Sequence, residues 1–315
     1  MCSISVLMSI YNERIEDIYK AINSILKQTF SDFEFIIVID NPKRADIKEE
    51  LCLLDRRIKV IVNETNIGLA LSMNKAASIA QGKYLARMDA DDISVNHRFE
   101  KQYQVLVEND YSLVCTGYIM IDESDNPIGI ESGNISDRDL IRLLPYDNTI
   151  HHPTVMMKKT VFDEVGGYRN FPCSQDYDLW LRMVKADDKM HYLPDKLFKY
   201  RIREESISQK NKVKQITTWW YIQSLYWERE KRGIDCFSEE NYHRYLEKQK
   251  VYDEKYCRNE LAARKRKSQV DILKGNNKYK VKRLMLMCLI FLNSSFYRKY
   301  YLKLFEYKII KRFGK

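Results

Sequence analysis

Apolar residues along the first two-thirds of the chain switch between two periods. Ile4 to Ile10 is a continuous apolar run of buried-strand length. Ile15, Ile18, Ile22, Ile25 and Leu26 then recur at helical spacing before Phe33 to Ile39 returns to a strand. That is a βαβ unit. Further strands are predicted at Ile58–Val62, 84–88 and Leu113–Ile121, with helices over 69–80 and 99–107 between them. The alternation predicts an α/β fold, a mostly parallel central sheet flanked by helices.

In such sheets ligands bind beyond the carboxyl ends of the strands. The residues there are polar after four successive predicted strands: Tyr11-Asn12-Glu13, Asp40-Asn41-Pro42, Asn63 to Asn66, and Asp89-Ala90-Asp91-Asp92. Beyond about residue 210 the pattern becomes helical and rich in tryptophan and tyrosine (Trp219-Trp220-Tyr221, Tyr226-Trp227), and then strongly basic. Residues 1–210 therefore form the α/β domain, and residues 211–315 a helical, basic extension.

Composition narrows the class. With 315 residues, 45% hydrophobic and 31% charged, and only 10 Gly and 6 Pro, the chain is neither disordered nor fibrous. Seven scattered cysteines form no CxxC pair, so they are expected to be reduced. Met1 to Val6 lacks a basic signal-type region, and the longest apolar run, 284–292, is nine residues against the roughly 20 of a membrane-spanning helix. A cytoplasmic protein is expected, with peripheral attachment to the inner face of the cell membrane as the open alternative. The charge is uneven: residues 1–210 carry net −6 and residues 211–315 net +15.

Asp89, Asp91 and Asp92 are the tightest carboxylate group. Alternate residues at a strand end point in related directions, so Asp89 and Asp91 can face one ligand. Hard cations such as Mg²⁺ or Mn²⁺ take carboxylate oxygens and share their shell with substrate phosphates. Two readings stand, a metal–diphosphate site and a solvated acidic turn. Asp176 opens a helical pattern after a loop containing Pro172 and Cys173, which suits a helix N-cap or a carboxylate facing a ligand. His151 and His152 are adjacent on an extended segment and cannot share one metal.

The neighbouring text selects among these. Asn66-Ile67-Gly68-Leu69-Ala70, Asn74, Gly82 to Asp92 and Arg98 resemble the nucleotide-sugar segment of glycosyltransferase family 2. Ser9 to Glu13, Ser24 to Phe30 and Phe33 to Asp40 resemble the family's opening, and Gly166-Gly167-Tyr168-Arg169 with Gln175 to Arg182 its acceptor segment. The resemblance runs over about residues 3–208 and implies the GT-A fold, with 1–110 binding the nucleotide sugar and 111–210 forming the acceptor side.

It further implies an inverting hexosyltransferase of bacterial capsule, exopolysaccharide or lipopolysaccharide synthesis, using a UDP-sugar and Mn²⁺ or Mg²⁺. Tyr11 and Glu13 fall at the nucleobase and ribose, and Asp40 at the base. Asn66, Gly68, Asn74 and Arg87 fall along the donor, with Asp89 at the ribose or the metal's outer shell. Asp91 becomes the metal ligand, Asp92 a structural cap and Asp176 the general base. A helix N-terminus keeps such a base ionised. His151, His152 and Trp180 fall on the acceptor side, although Asn66 and Gly68 also suit a plain turn and the histidines plain packing. Arg203 stands where related sequences often carry a histidine, and it suits phosphate rather than a cation.

Residues 261–315 hold 16 Lys and Arg against two acids, interleaved with apolar and aromatic residues. Two readings stand again: an anionic membrane surface presenting a glycan or lipid-linked acceptor, and amphipathic helices packed on the catalytic domain. A nucleic-acid-binding module is disfavoured because residues 1–210 are net negative. A sugar nucleotidyltransferase uses the same carboxylate–metal logic, but no Gly-rich, lysine-bearing signature follows the first strand.

Overall fold

The computed structural model describes residues 2–184, 189–203, 212–249 and 280–313, with positions 251, 253, 262 and 266. The chain divides into two compact units, Met1–Leu144 with Asn148–Ser206, and Pro145–Asp147 with Ile207–Lys315. The boundary expected near residue 210 lies outside the described residues.

In the first unit a nine-stranded sheet runs β3-β2-β1-β4-β8-β6-β9-β5, with β7 on β6. Its first half is parallel: β1 (Ile4–Ile10) lies between β2 (Phe33–Ile39) and β4 (Tyr84–Asp89), and β3 (Ile58–Val62) edges β2. These strands are apolar without interruption because both faces are covered. Ile4, Val6, Met8 and Ile10 share a core with Ile18, Ile22 and Ile25 of α1 (Ile15–Leu26), with α2 (Ile47–Leu54) and with α4 (Arg98–Asn109). The helix α3 (Leu69–Ile79) packs on β1 and β2. Each such side chain, fully buried, contributes about 1.5–3 kcal/mol.

The second half is mixed, which the sequence reading did not show. β8 (Met156–Lys158) runs antiparallel to both β4 and β6 (Leu113–Ile121), while β9 (Met190–Arg201) is parallel to β6. The short β5 (Ile93–Ser94) and β7 (Pro127–Glu131) pair antiparallel with β9 and β6. β9 escaped prediction because Pro194, Asp195, Lys196 and Lys199 break its apolar pattern. Two further helices, α5 (Asp137–Leu143) and α6 (Lys159–Glu164), precede α7 (Gln175–Met183).

The second unit contains α8 (Lys212–Arg232), α9 (Glu239–Lys248), α10 (Lys280–Asn293) and α11 (Ser295–Phe313). Thr218 Oγ1 and Tyr242 OH join α8 to α9 at 2.6 Å. Ile216, Ile290 and Tyr297 form a core with Trp219, Trp220 and Leu286. Gln223 Nε2 donates to the Tyr146 carbonyl (3.1 Å), which ties residues 145–147 to this unit rather than to the sheet.

Candidate active site

β1 ends at Ile10, and the Tyr11 backbone N–H donates to Glu13 Oε2 (2.7 Å), folding that carboxylate back over the strand end. Tyr11 is 42% exposed and open to a ligand. Burial raises the Glu13 pKa against that hydrogen bond, and the charge of Asp89 adds to the rise.

At the end of β2, Asp40 anchors a loop. It is buried, with Oδ1 accepting from Asn63 Nδ2 (2.8 Å) and the Ile67 N–H (2.9 Å), and Oδ2 from the Gly68 N–H (2.9 Å). Both oxygens fasten the loop before α3. Asn66 Oδ1 accepts from the same Gly68 N–H (3.0 Å), so Asn66 and Gly68 take the turn-shaping role left open for them. Gly68 has φ +86 with nothing within 4 Å of an added Cβ, so conformation rather than space requires glycine there.

Asn74, expected along the donor, is a brace in this structure. Its Nδ2 donates to the Tyr168 carbonyl (2.7 Å), and its Oδ1 accepts from the Tyr168 N–H (2.8 Å). A Cβ on Gly167 would lie 2.7 Å from that oxygen, which is why the chain carries glycine at this close approach. Arg182, held by Asp178 (2.9 Å), donates to the carbonyls of Val165 and Gly167 and completes the clamp.

Asp89 is the last residue of β4, one position beyond the predicted strand. Arg87 is buried and donates to Asp89 Oδ1 and to the Met88 and Leu7 carbonyls, so it positions Asp89. Asp91 Oδ2 lies 3.4 Å from Arg203 Nε. Burial, then the charges of Asp89 and Glu13 against Arg203, push the Asp91 carboxyl up to about 6. Asp92 is buried and caps no helix: its Oδ1 accepts from the Arg201 N–H (2.8 Å), joining the acidic loop to the end of β9.

Beneath this loop lies a network that the sequence reading missed. Arg201 donates from Nε to the Asp91 carbonyl (2.8 Å), from Nη1 to the Asp122 carbonyl (2.9 Å) and from Nη2 to Asp125 (2.5 Å). Arg203 Nη2 reaches Asp17 Oδ2 at 2.6 Å, so this guanidinium braces α1 and stands beside Asp91. Burial works against the Asp17 charge, yet Arg14, Arg201 and Arg203 outweigh it and hold its carboxyl below the ordinary range. One signal existed: Asp17 falls on the apolar stripe of α1 beside Ile18, and a charged residue there must be paired.

Among the described residues no three His, Cys, Asp or Glu side chains converge as a metal cage. The carboxylate oxygens of Asp91, with Asp89 beside it, are donors of the kind that would hold a hard cation. Burial first, and then the crowding of Asp89 and Glu13, raise the Asp91 pKa, and a cation held there would relieve that repulsion.

Asp176 lies in the first turn of α7, where Ser174, at φ 59, is the N-cap residue and makes no side-chain cap. Asp176 Oδ2 accepts from Asn148 Nδ2 at 3.0 Å. Burial raises its pKa, Asn148 opposes the rise and the charge of Asp89 adds to it.

On the acceptor side the structure corrects two expectations. Trp180 is 0% exposed, and His152 is buried with Nε2 2.7 Å from Tyr168 OH, so both are core residues. His151 differs: its ring stacks on Tyr118 and meets the edge of Tyr200, each 4.3 Å between centroids. Burial lowers its pKa to about 4, leaving the imidazole neutral.

Carboxylates at the ends of β1 and β4, on a parallel half-sheet continued by mixed strands, define a GT-A-like transferase. The chain belongs to glycosyltransferase family 2, whose pattern, Glycosyl transferase family 2, matches residues 5–166. This resolves the choice between glycosyl and nucleotidyl transfer. An uncharacterized glycosyltransferase of Methanocaldococcus jannaschii is 35% identical over 72% of this chain and 80% of its own. The O-antigen biosynthesis glycosyltransferase WbnJ of Escherichia coli is 37% identical over 64% of this chain and 81% of its own. The fold is similar to S. aureus TarS 1–349 in complex with UDP-GlcNAc, with TM-score 0.59, 17% identity, and 78% of this chain and 70% of that one covered. A longer TarS structure is spanned over 42% of its length.

Proposed function

We propose that the chain transfers a hexose from a UDP-sugar, with inversion, to a hydroxyl of a glycan or lipid-linked acceptor in bacterial surface-polysaccharide synthesis. One observation carries the reading: Asp89 and Asp91 crowd the end of β4 while a second carboxylate, Asp176, sits on α7 with its own amide partner. The O-antigen function of WbnJ and the UDP-GlcNAc complex of TarS support the donor and product class.

The division of labour follows from the environments. Asp91, with Asp89 beside it, would hold Mn²⁺ or Mg²⁺, which supplies charge stabilisation to the departing diphosphate. Tyr11 and Glu13 receive the nucleoside. Asp176, oriented by Asn148, takes the proton of the acceptor hydroxyl. The hydroxyl oxygen bonds the anomeric carbon, the bond from that carbon to the diphosphate breaks, and nucleoside diphosphate leaves. A single displacement inverts the configuration. Neutral His151 lines the acceptor side. The extension, with net +15 over residues 211–315, adsorbs to an anionic bilayer that presents the acceptor. No helix among the described residues is long and apolar enough to cross a membrane.

A panel of UDP-sugars with Mn²⁺ or with chelator tests this. Nucleoside diphosphate release that needs the cation, and a β-linked product from an α-linked donor by NMR, are expected. Full turnover in chelator overturns the metal assignment, and an α-linked product overturns inversion.

A further inference from the structure

The helix α10 is apolar on more than the face it buries. It carries no charged residue from 284 to 292. One side faces inward, with Ile290 fully buried in the core that also contains Ile216 and Tyr297, and Leu286 packed against it. Along another side Val281, Leu284, Met285, Phe291 and Leu292 are between 45% and 81% exposed, and with Cys288 between them they follow one another at three- and four-residue intervals. Cys288 is exposed on the same stripe. α11 repeats the arrangement with Leu302, Phe305 and Ile309, between 43% and 63% exposed. A helix apolar all round belongs in a protein interior or in lipid, and contiguous exposed apolar residues mark a binding surface.

Charge selects the occupant. Residues 280–313 carry nine Lys and Arg against one acid, Glu306. A second copy would bring two basic faces together, at a repulsive cost. An anionic bilayer neutralises them while the stripe enters the boundary between headgroups and acyl chains.

We propose that the outward stripes of α10 and α11 are a lipid-insertion face for anionic bilayers. This rests on the membrane placement given above and adds that the binding is not electrostatic alone. Apolar insertion survives salt, whereas attraction between exposed charges is screened.

The test uses the full chain and vesicles of phosphatidylglycerol and phosphatidylcholine. In one form Cys2, Cys52, Cys236 and Cys257 are replaced by Ser and Cys288 carries an environment-sensitive fluorophore. The label is expected to shift to the blue on these vesicles and to become shielded from aqueous iodide. Leu284→Ser with Phe291→Ser is expected to lower partitioning at 0.5 M salt at least tenfold, with UDP-sugar hydrolysis and the thermal melt unchanged. Salt-sensitive binding that is equal in the variant overturns insertion and leaves electrostatic adsorption standing. No binding by the unaltered chain overturns both. A label already shielded without vesicles means that protein covers the face, and it overturns the proposal by itself.

Discussion

The donor-side loops and the acceptor-side segment of the catalytic unit hold their polar groups by different contacts. Around β1, β2 and β4 the side chains satisfy one another: Asp40 holds the Gly68 turn, Asn74 holds Tyr168, and Asp17 and Arg201 hold the ends of α1 and β9. Between residues 148 and 180 single contacts do this work: Asn148 donates to Asp176, and His152 meets Tyr168. Buried atoms without a hydrogen-bond partner among the described residues occur on both sides, Asn148 Oδ1 and His151 Nε2 on one, Arg87 Nε and Asp92 Oδ2 on the other. A buried polar atom left unmatched costs about 1–3 kcal/mol, so breaking a donor-side tie that fastens a loop should appear in stability. Damage to Asp176, which fastens no loop, should appear in rate.

The largest effect is expected at Asp176. Replacing it with Asn should lower kcat by about 10²–10⁴ while leaving UDP-sugar affinity intact. The melting temperature at neutral pH should hold or rise. The folded pKa is raised, so whatever stability this group contributes is present in its protonated form at low pH. That stability is lost as pH rises through the raised value, and the amide escapes the loss. The acidic limb of kcat in the unaltered enzyme should lie above the ordinary carboxylate value of about 3.9, because the base must be ionised to act. Donor affinity falling in parallel with kcat would break the comparison.

Asp91→Asn comes next and crosses the divide, since Asp91 is a donor-side group with little internal compensation beyond Arg203. Cation-dependent turnover should fall by about two orders of magnitude or more. Donor affinity measured with Mn²⁺ should fall with it, and affinity measured in chelator should not. Third is Arg201→Met. It should cost about 3–5 kcal/mol in denaturant unfolding, because Asp17 and Asp125 lose a buried partner. A folded, fully stable Arg201→Met variant with lost activity would assign Arg201 to the ligand rather than to the scaffold.

Legibility followed the same divide. The parallel half-sheet could be read because its strands are buried on both faces and therefore apolar throughout. The strand ends that carry Glu13, Asp89 and Asp91 followed from topology. What could not be read was the partner of each polar residue. Asp40 looks the same in sequence whether it meets a base or three groups of its own loop. Trp180 and His152 lie in a segment matching an acceptor region, yet both point into the core. β9 was hidden by its charges, and with it Arg201, which links β9 to the acidic loop. Periodicity reports burial of apolar groups and says nothing about which polar groups meet.

Gly68 gives the smallest effect and the sharpest separation of the two behaviours. At φ +86 any side chain is strained, and Gly68→Ala should cost about 1–3 kcal/mol, partly offset by the stiffer unfolded chain. No atom lies within 4 Å of the new methyl, so packing adds nothing to that figure. The strain falls on the N–H that Asp40 and Asn66 share, and α3 begins at the next residue. The variant should melt lower by a few degrees, with kcat within twofold of the parent. If kcat dropped tenfold while the melt stayed put, the open space beside Gly68 would be donor space. The turn would then belong to the ligand, and the division between loop-fastening ties and groups that serve the reaction would fail at the residue best placed to test it.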